Sequence, residues 1–183
     1  MHGLKDFTMN EILKAMKERR SSRKFTSELP PKEAIDQVIE AGLYAASGHG
    51  SQQTIIVAVT NQELLAKFRK DNCAIGGWNK DFDPFYGAPV ALVVLAKKDC
   101  PTNVYDGSLV MGNLMLAAHA LGLGSCWINR AREEFETEEY KELLRSIGVE
   151  GEYIGVGHCA LGYAADPIPA PPERKPNRVF YVD

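Results

Sequence analysis

Asp106-Gly107-Ser108-Leu109-Val110-Met111-Gly112-Asn113-Leu114-Met115-Leu116-Ala117-Ala118-His119-Ala120-Leu121 is the stretch on which the fold turns. Leu109, Val110, Leu114, Leu116, Ala117, Ala118 and Leu121 leave little room for a polar face, and a helix apolar nearly all round is a buried one. The stretch predicts the longest, central helix of the chain. Gly122-Leu123-Gly124 supplies its stop, and Ser125-Cys126-Trp127-Ile128 follows as a short strand or extended turn.

Working outward, Val90 to Leu95 and Thr54 to Val59 are short, apolar and β-branched, as buried strands are. After Pro30-Pro31, the recurrence of Ile35, Val38, Ile39 and Leu43 predicts an amphipathic helix reaching Ala46. Thr60 and Glu63 have capping-box spacing ahead of Leu64, Leu65 and Phe68, the apolar face of another helix. From Asn72 to Tyr86 the periodicity gives way to an aromatic loop with Trp78, Phe82 and Phe85, which reads equally as a lid over a planar ligand and as a satellite core cluster. Near the N-terminus, Thr8 and Glu11 make a capping box and Phe7 and Ile12 a staple. They introduce a helix from Met9 to about Arg19 with Ile12, Leu13 and Met16 on one face.

Toward the C-terminus, Glu133 to Arg145 reads as a charged surface helix, and Tyr153 to Tyr163 as a strand whose glycines admit another backbone or a ring. His158 in that strand reads as a buried, satisfied histidine. Asp166 to Pro176 carries five prolines and forms an extended arm. It ends in Val179-Phe180-Tyr181-Val182, a strand suited to a remote sheet edge or to another subunit.

A chain of 183 residues corresponds to one domain, here 1–183 with 166–183 as its arm, and is long enough to bury a substantial core. A formal net charge of −3 argues against a nucleic-acid binder, which needs a broad basic surface. The four cysteines are widely spaced, without C-x-x-C or histidines at metal-ligand spacing, and read as reduced thiols. Neither a signal-peptide run nor an apolar segment of membrane-spanning length is present, so the expected setting is the cytoplasm.

Against that balance, Glu18-Arg19-Arg20-Ser21-Ser22-Arg23-Lys24-Phe25 concentrates cations and hydroxyls at the end of the first helix. Guanidinium forks suit phosphate oxyanions, and serine hydroxyls add short, orientable donors. Basic residues also end helices simply to offset the macrodipole. A second basic group, Arg174-Lys175 with Arg178, sits in the proline-rich arm, where no helix requires it. Together the two groups read as a cradle for a small anion.

Taken in order, these pieces resemble the nitroreductase family of FMN-dependent oxidoreductases. Arg19 to Phe25 is similar to the family's arginine-rich start, and Asp106 to Ile128 to its central helix and following segment. Gly157 to Tyr163 and Arg174-Lys175-Pro176 are similar to its end. The resemblance implies an α+β fold with a mostly antiparallel central sheet flanked by helices, built as an intertwined homodimer with FMN at the interface. It places Arg19, Arg20, Ser21 and Arg23, with Arg174 and Lys175, on the FMN phosphate. Ser47, Gly50 and Gln52 would lie near the ring, with Ile128 and Asn129 offering backbone amides to it. The partners implied are NAD(P)H and a small acceptor such as a nitroaromatic or quinone, used in ping-pong fashion, with no nucleic acid and no membrane. The flavin carries the chemistry, so no side chain is assigned as catalytic. Cys126 and Trp127 read as packing groups, and His49 is the one candidate proton donor of the glycine loop. Where many members carry Asn-x-Gln-Pro-Trp, this chain has Gly50-Ser51-Gln52-Gln53-Thr54. That departure keeps a rival reading open, an FMN-binding or regulatory module without significant turnover.

Overall fold

Four strands form one antiparallel sheet in the order β1-β2-β4-β3: β1 Thr54–Val59, β2 Val90–Lys97, β3 Gly124–Ile128 and β4 Tyr153–Gly162. The structure, a computed structural model, describes residues 10–183. Each strand alternates its side chains between two helical layers. Val90, Leu92, Val94, Cys159 and Leu161 face α2 (Lys32–Leu43) and α4 (Asn103–Ala120). Ala91, Val93, Leu95, Cys126 and Ile128 face α3 (Gln62–Gly76), α5 (Ala131–Phe135) and α6 (Glu138–Ser146). The central strand β2 is buried on both faces, which is why it reads as an unbroken apolar run.

The four sheet-strand readings hold, the strand expected at residues 179–182 does not form within the protomer, and the helix boundaries move for local reasons. The first helix, α1, spans Glu11–Glu18 and is capped by Asn10, whose Oδ1 accepts from Leu13 N at 3.0 Å. Phe7 and Thr8, and the staple and capping box drawn on them, lie outside the described residues. Likewise Asn61, not Thr60, caps α3, accepting from Leu64 N at 2.9 Å. α2 ends at Leu43, and Leu43 points outward. α3 carries on through Asn72 and Cys73 to Gly76, so the aromatic loop is shorter than expected. The charged segment after β3 is two helices, α5 and α6, and not one.

α4 also departs from expectation, since Tyr105 is 74% and Leu109 51% exposed while Val110, Met111, Leu114 and Ala118 are enclosed. One apolar stripe of the helix therefore faces outward in the single protomer. Met16 of α1 and the terminal Phe180 and Tyr181 are exposed as well. Residues 167–183 form no strand within the protomer: the arm is exposed throughout and bends at Asn177, where φ is 57°.

Between Val94 and Leu95 the β2–β4 register slips by one residue, leaving Val156 as the extra residue of a bulge in β4. Beside it, a Cβ on Gly155 would stand 2.1 Å from the carbonyl oxygen of Ala131. The start of α5 can lie against the sheet only because that position has no side chain.

Candidate functional site

The basic segment runs along the open edge of β3. Ser21 bridges Ser125 in a parallel pairing, and Ser22 N donates to Ser125 O at 2.9 Å. Phe25 then turns inward and pairs with Ala164, anchoring the far end in the core. Arg19, Ser21 and Arg23 thereby converge on Cys126. Burial pushes that thiol up, against the opposing pull of Arg23, Ser21 and Arg19. Three of the six sequence-predicted phosphate residues are thus brought together by a strand edge.

The cations differ in what they are free to do. Arg20 turns its guanidinium onto the carbonyls of Arg19 and Lys17, closing the carboxyl end of α1. Among the described residues, neither Arg19 nor Arg23 forms an ion pair with a carboxylate, and Arg19 Nη1 is buried without a hydrogen-bond partner. An orphaned guanidinium nitrogen fits an oxyanion, because a buried donor left unpaired is costly. A cleft of about 230 Å³ opens here, between Arg20–Lys24 and the stretch from Ala164 to Pro169. A larger cavity of about 890 Å³ lies elsewhere, beside Lys98, Arg132 and Tyr153. Its Lys98 and Arg132 are paired with Glu152 and Glu136, at 2.8 and 3.2 Å.

The remaining candidates stand apart within one protomer. Arg174 and Lys175 are exposed in the arm, where Arg174 Nη2 donates to Pro172 O at 2.9 Å. Ser47, Gly50 and Gln52 belong to a tight loop in which Ser47 Oγ accepts from Gln52 N at 3.0 Å. His49, Gly50 and Gln52 all adopt positive φ, of 55°, 65° and 50°. This loop is fastened to α4, whereas the turn after Ile128 is fastened to α3, where Asn72 Nδ2 donates to Asn129 O at 2.7 Å. These two helices lie on opposite faces of the sheet. Ser125 on β3 and Asn129, the first residue after it, are separated by roughly 13 Å, so the cradle and the turn lie along one strand and its end.

Two sets of site residues escaped the sequence reading. Asp106, only 4% exposed, accepts from Gly48 N at 3.0 Å and from the Thr102 hydroxyl at 2.9 Å. Its isolation in an otherwise apolar helix was the available signal. Asn72 and Glu134 meet His158 in the core, and nothing in the spacing of a charged helix marks Glu134 as its one enclosed charged residue. His158 is enclosed as expected, with Phe68 and Phe85 against its ring. Trp127 packs over Gly157 on the α4 face, with Nε1 buried and unpartnered. His49 is exposed.

A putative NADH dehydrogenase/NAD(P)H nitroreductase of Methanothermobacter thermautotrophicus is 30% identical over 85% of this chain and 78% of that protein. An FMN reductase [NAD(P)H] of Bacillus subtilis is 27% identical over 86% of this chain and 68% of that protein. The crystal structure of a nitroreductase with bound FMN from Bacteroides fragilis superposes with a TM-score of 0.85 at 27% identity, covering 96% of this chain and 100% of that one. The nitroreductase family profile matches residues 16–75 and 76–163, so the chain belongs to the nitroreductase family.

Proposed function

We propose that this protein is an FMN-dependent oxidoreductase that takes hydride from NAD(P)H and delivers it to a small acceptor such as a nitroaromatic or quinone. The observation that carries the reading is the cation cradle on the β3 edge, where Arg19, Ser21 and Arg23 gather around Cys126 and Arg19 Nη1 is buried and, among the described residues, unpartnered. Arg19, Ser21 and Arg23 hold the FMN phosphate, joined by Arg174 and Lys175, while Arg20 fixes the end of α1. FMN, when bound, supplies the two-electron chemistry, exchanging hydride with donor and then acceptor at one face. The chain's own task is to orient the group, supply donors along its polar edge and keep water from the ring. Ile128 and Asn129 take the first of these roles from one side, and Ser47, Gly50 and Gln52 from the other.

The site is shared between two copies of the chain. The glycine loop and the β3 turn are tied to opposite faces of one protomer's sheet, so a ring touching both needs a second protomer. The outward stripe of α4 at Tyr105 and Leu109 and the exposed arm at 166–183 supply apolar surface for that homodimer. Each protomer is one domain with its arm reaching to the other. Four free, buried thiols accord with a reducing, cytoplasmic setting.

Steady-state kinetics test the reaction. Varying NADPH at several fixed concentrations of a quinone should give parallel double-reciprocal lines, as alternating use of one site requires. Intersecting lines would rule that out.

A further inference from the structure

Away from the cation cradle, the core encloses a polar group that the proposed chemistry does not use. Asn72 of α3, Glu134 of α5 and His158 of β4 are each 0% exposed. Glu134 Oε2 stands 2.5 Å from His158 Nε2. Asn72 Nδ2 is shared between Glu134 Oε1, at 3.1 Å, and the carbonyl oxygen of Asn129, at 2.7 Å. Both neighbours are acceptors, so the amide has one workable orientation, nitrogen toward them. Among the described residues His158 is the only basic side chain paired with Glu134.

Packing gives no reason for this group. A buried polar network is often replaceable by apolar side chains at no loss of stability, and among the described residues His158 Nδ1 and Asn72 Oδ1 even lack partners. What the network touches gives the reason. Asn129 opens the turn that leaves β3, and the next residue, Arg130, has φ of 81°, in the left-handed region that a non-glycine residue enters at a cost. Such strain persists only where the surroundings over-determine it. Three restraints act here: Ile128 is in register with His158, Glu134 N donates to Arg130 O at 3.0 Å, and Asn72 holds the Asn129 carbonyl.

We propose that Asn72, itself oriented by the Glu134–His158 pair, is a positioning residue that fixes the Ile128-Asn129-Arg130 turn and thereby sets the reduction potential of the flavin. The second half rests on the oxidoreductase reading above; the first half does not. Amides held toward the ring stabilise the negative charge that reduction places there. A turn free to rotate holds them less well, so the potential falls.

Two variants probe the network. Asn72→Leu removes the donor. Glu134→Met keeps the length but removes the acceptor that orients the Asn72 amide, whose nitrogen is then free to turn away from Asn129. It serves even where Asn72→Leu fails to fold. Asn61→Ala, which removes the cap of the same helix, is the control for lost stability alone. Amide exchange at residues 129–131 should quicken by roughly tenfold in both network variants, the factor equivalent to one lost hydrogen bond. Their flavin midpoint potentials should move to more negative values, while Asn61→Ala lowers Tm and leaves the potential unchanged. Wild-type exchange and potential in both variants would overturn the inference. Faster exchange with an unmoved potential would overturn its flavin half. A wild-type protein that takes up no FMN would overturn the oxidoreductase reading instead, and exchange would still decide whether Asn72 holds the turn.

Discussion

The Gly48 amide donates to Asp106 Oδ1 at 3.0 Å, so a carboxylate near the start of the central helix holds the glycine loop in place. The second carboxylate oxygen takes the Thr102 hydroxyl at 2.9 Å, and a Cβ on Gly48 would come within 2.5 Å of that hydroxyl. Loop and helix are therefore closely apposed. Asp106→Ala strands both donors and should cost on the order of 1.5–3 kcal/mol, read by urea denaturation. Asp106→Asn keeps one acceptor and should recover part of the loss. Wild-type stability in Asp106→Ala would mean that the loop is held by other contacts.

The proposed site assigns the phosphate to Arg19 on the β3 edge and Arg174 in the arm. Removing either charge-assisted contact should weaken FMN binding by about 1.5–3 kcal/mol, or roughly ten- to a hundredfold in Kd. Fluorescence titration of the apoprotein measures it. Unchanged affinity in both Arg19→Ala and Arg174→Ala would sink the phosphate assignment.

Gly155 is where the sheet meets the start of α5. A methyl group there meets backbone, the Ala131 carbonyl oxygen at 2.1 Å and Arg132 N at 2.7 Å, and backbone cannot swing aside as a side chain can. Gly155→Ala should destabilise the protein by about 3 kcal/mol or more, visible as a drop in Tm. A variant with unaltered Tm would show that α5 is not seated on this strand.

Complete burial pushes the Cys159 thiol up to about 12 from an ordinary value of 9.0. Its neutral form is favoured by folding, so between those two values the unfolded chain has lost a proton that the folded chain keeps. Stability should therefore fall as pH rises above about 9, level off beyond about 12, and be unaffected by this group below 9. Cys159→Ala should flatten that decline in a series of denaturation curves between pH 8 and 11. An unchanged slope would assign the decline to other groups.

The layers of this fold were legible because burial on both faces leaves a plain trace. Val90 to Leu95 reads as a buried strand since both sheet faces are covered, and α4 reads as a core helix since most of its turns contact the sheet. Boundaries were less legible where two residues compete to cap a helix, as with Thr60 and Asn61, and local geometry decides between them. The cation cradle was visible as composition, although the sequence did not reveal that Arg20 would be taken up by helix carbonyls while Arg19 remained unpaired. Asp106 and Glu134 went unrecognised for a common reason. Each acts through partners 58 and 24 residues away in the chain, Gly48 and His158, and no local pattern encodes such pairings.

The most direct test is the visible absorbance spectrum of the purified protein, reconstituted with FMN where needed and followed anaerobically as NADPH and then NADH is added. Flavin bands that bleach with either nucleotide are the predicted result. Bands that persist through both additions would contradict hydride transfer from NAD(P)H, and no flavin uptake at all would contradict the cofactor site.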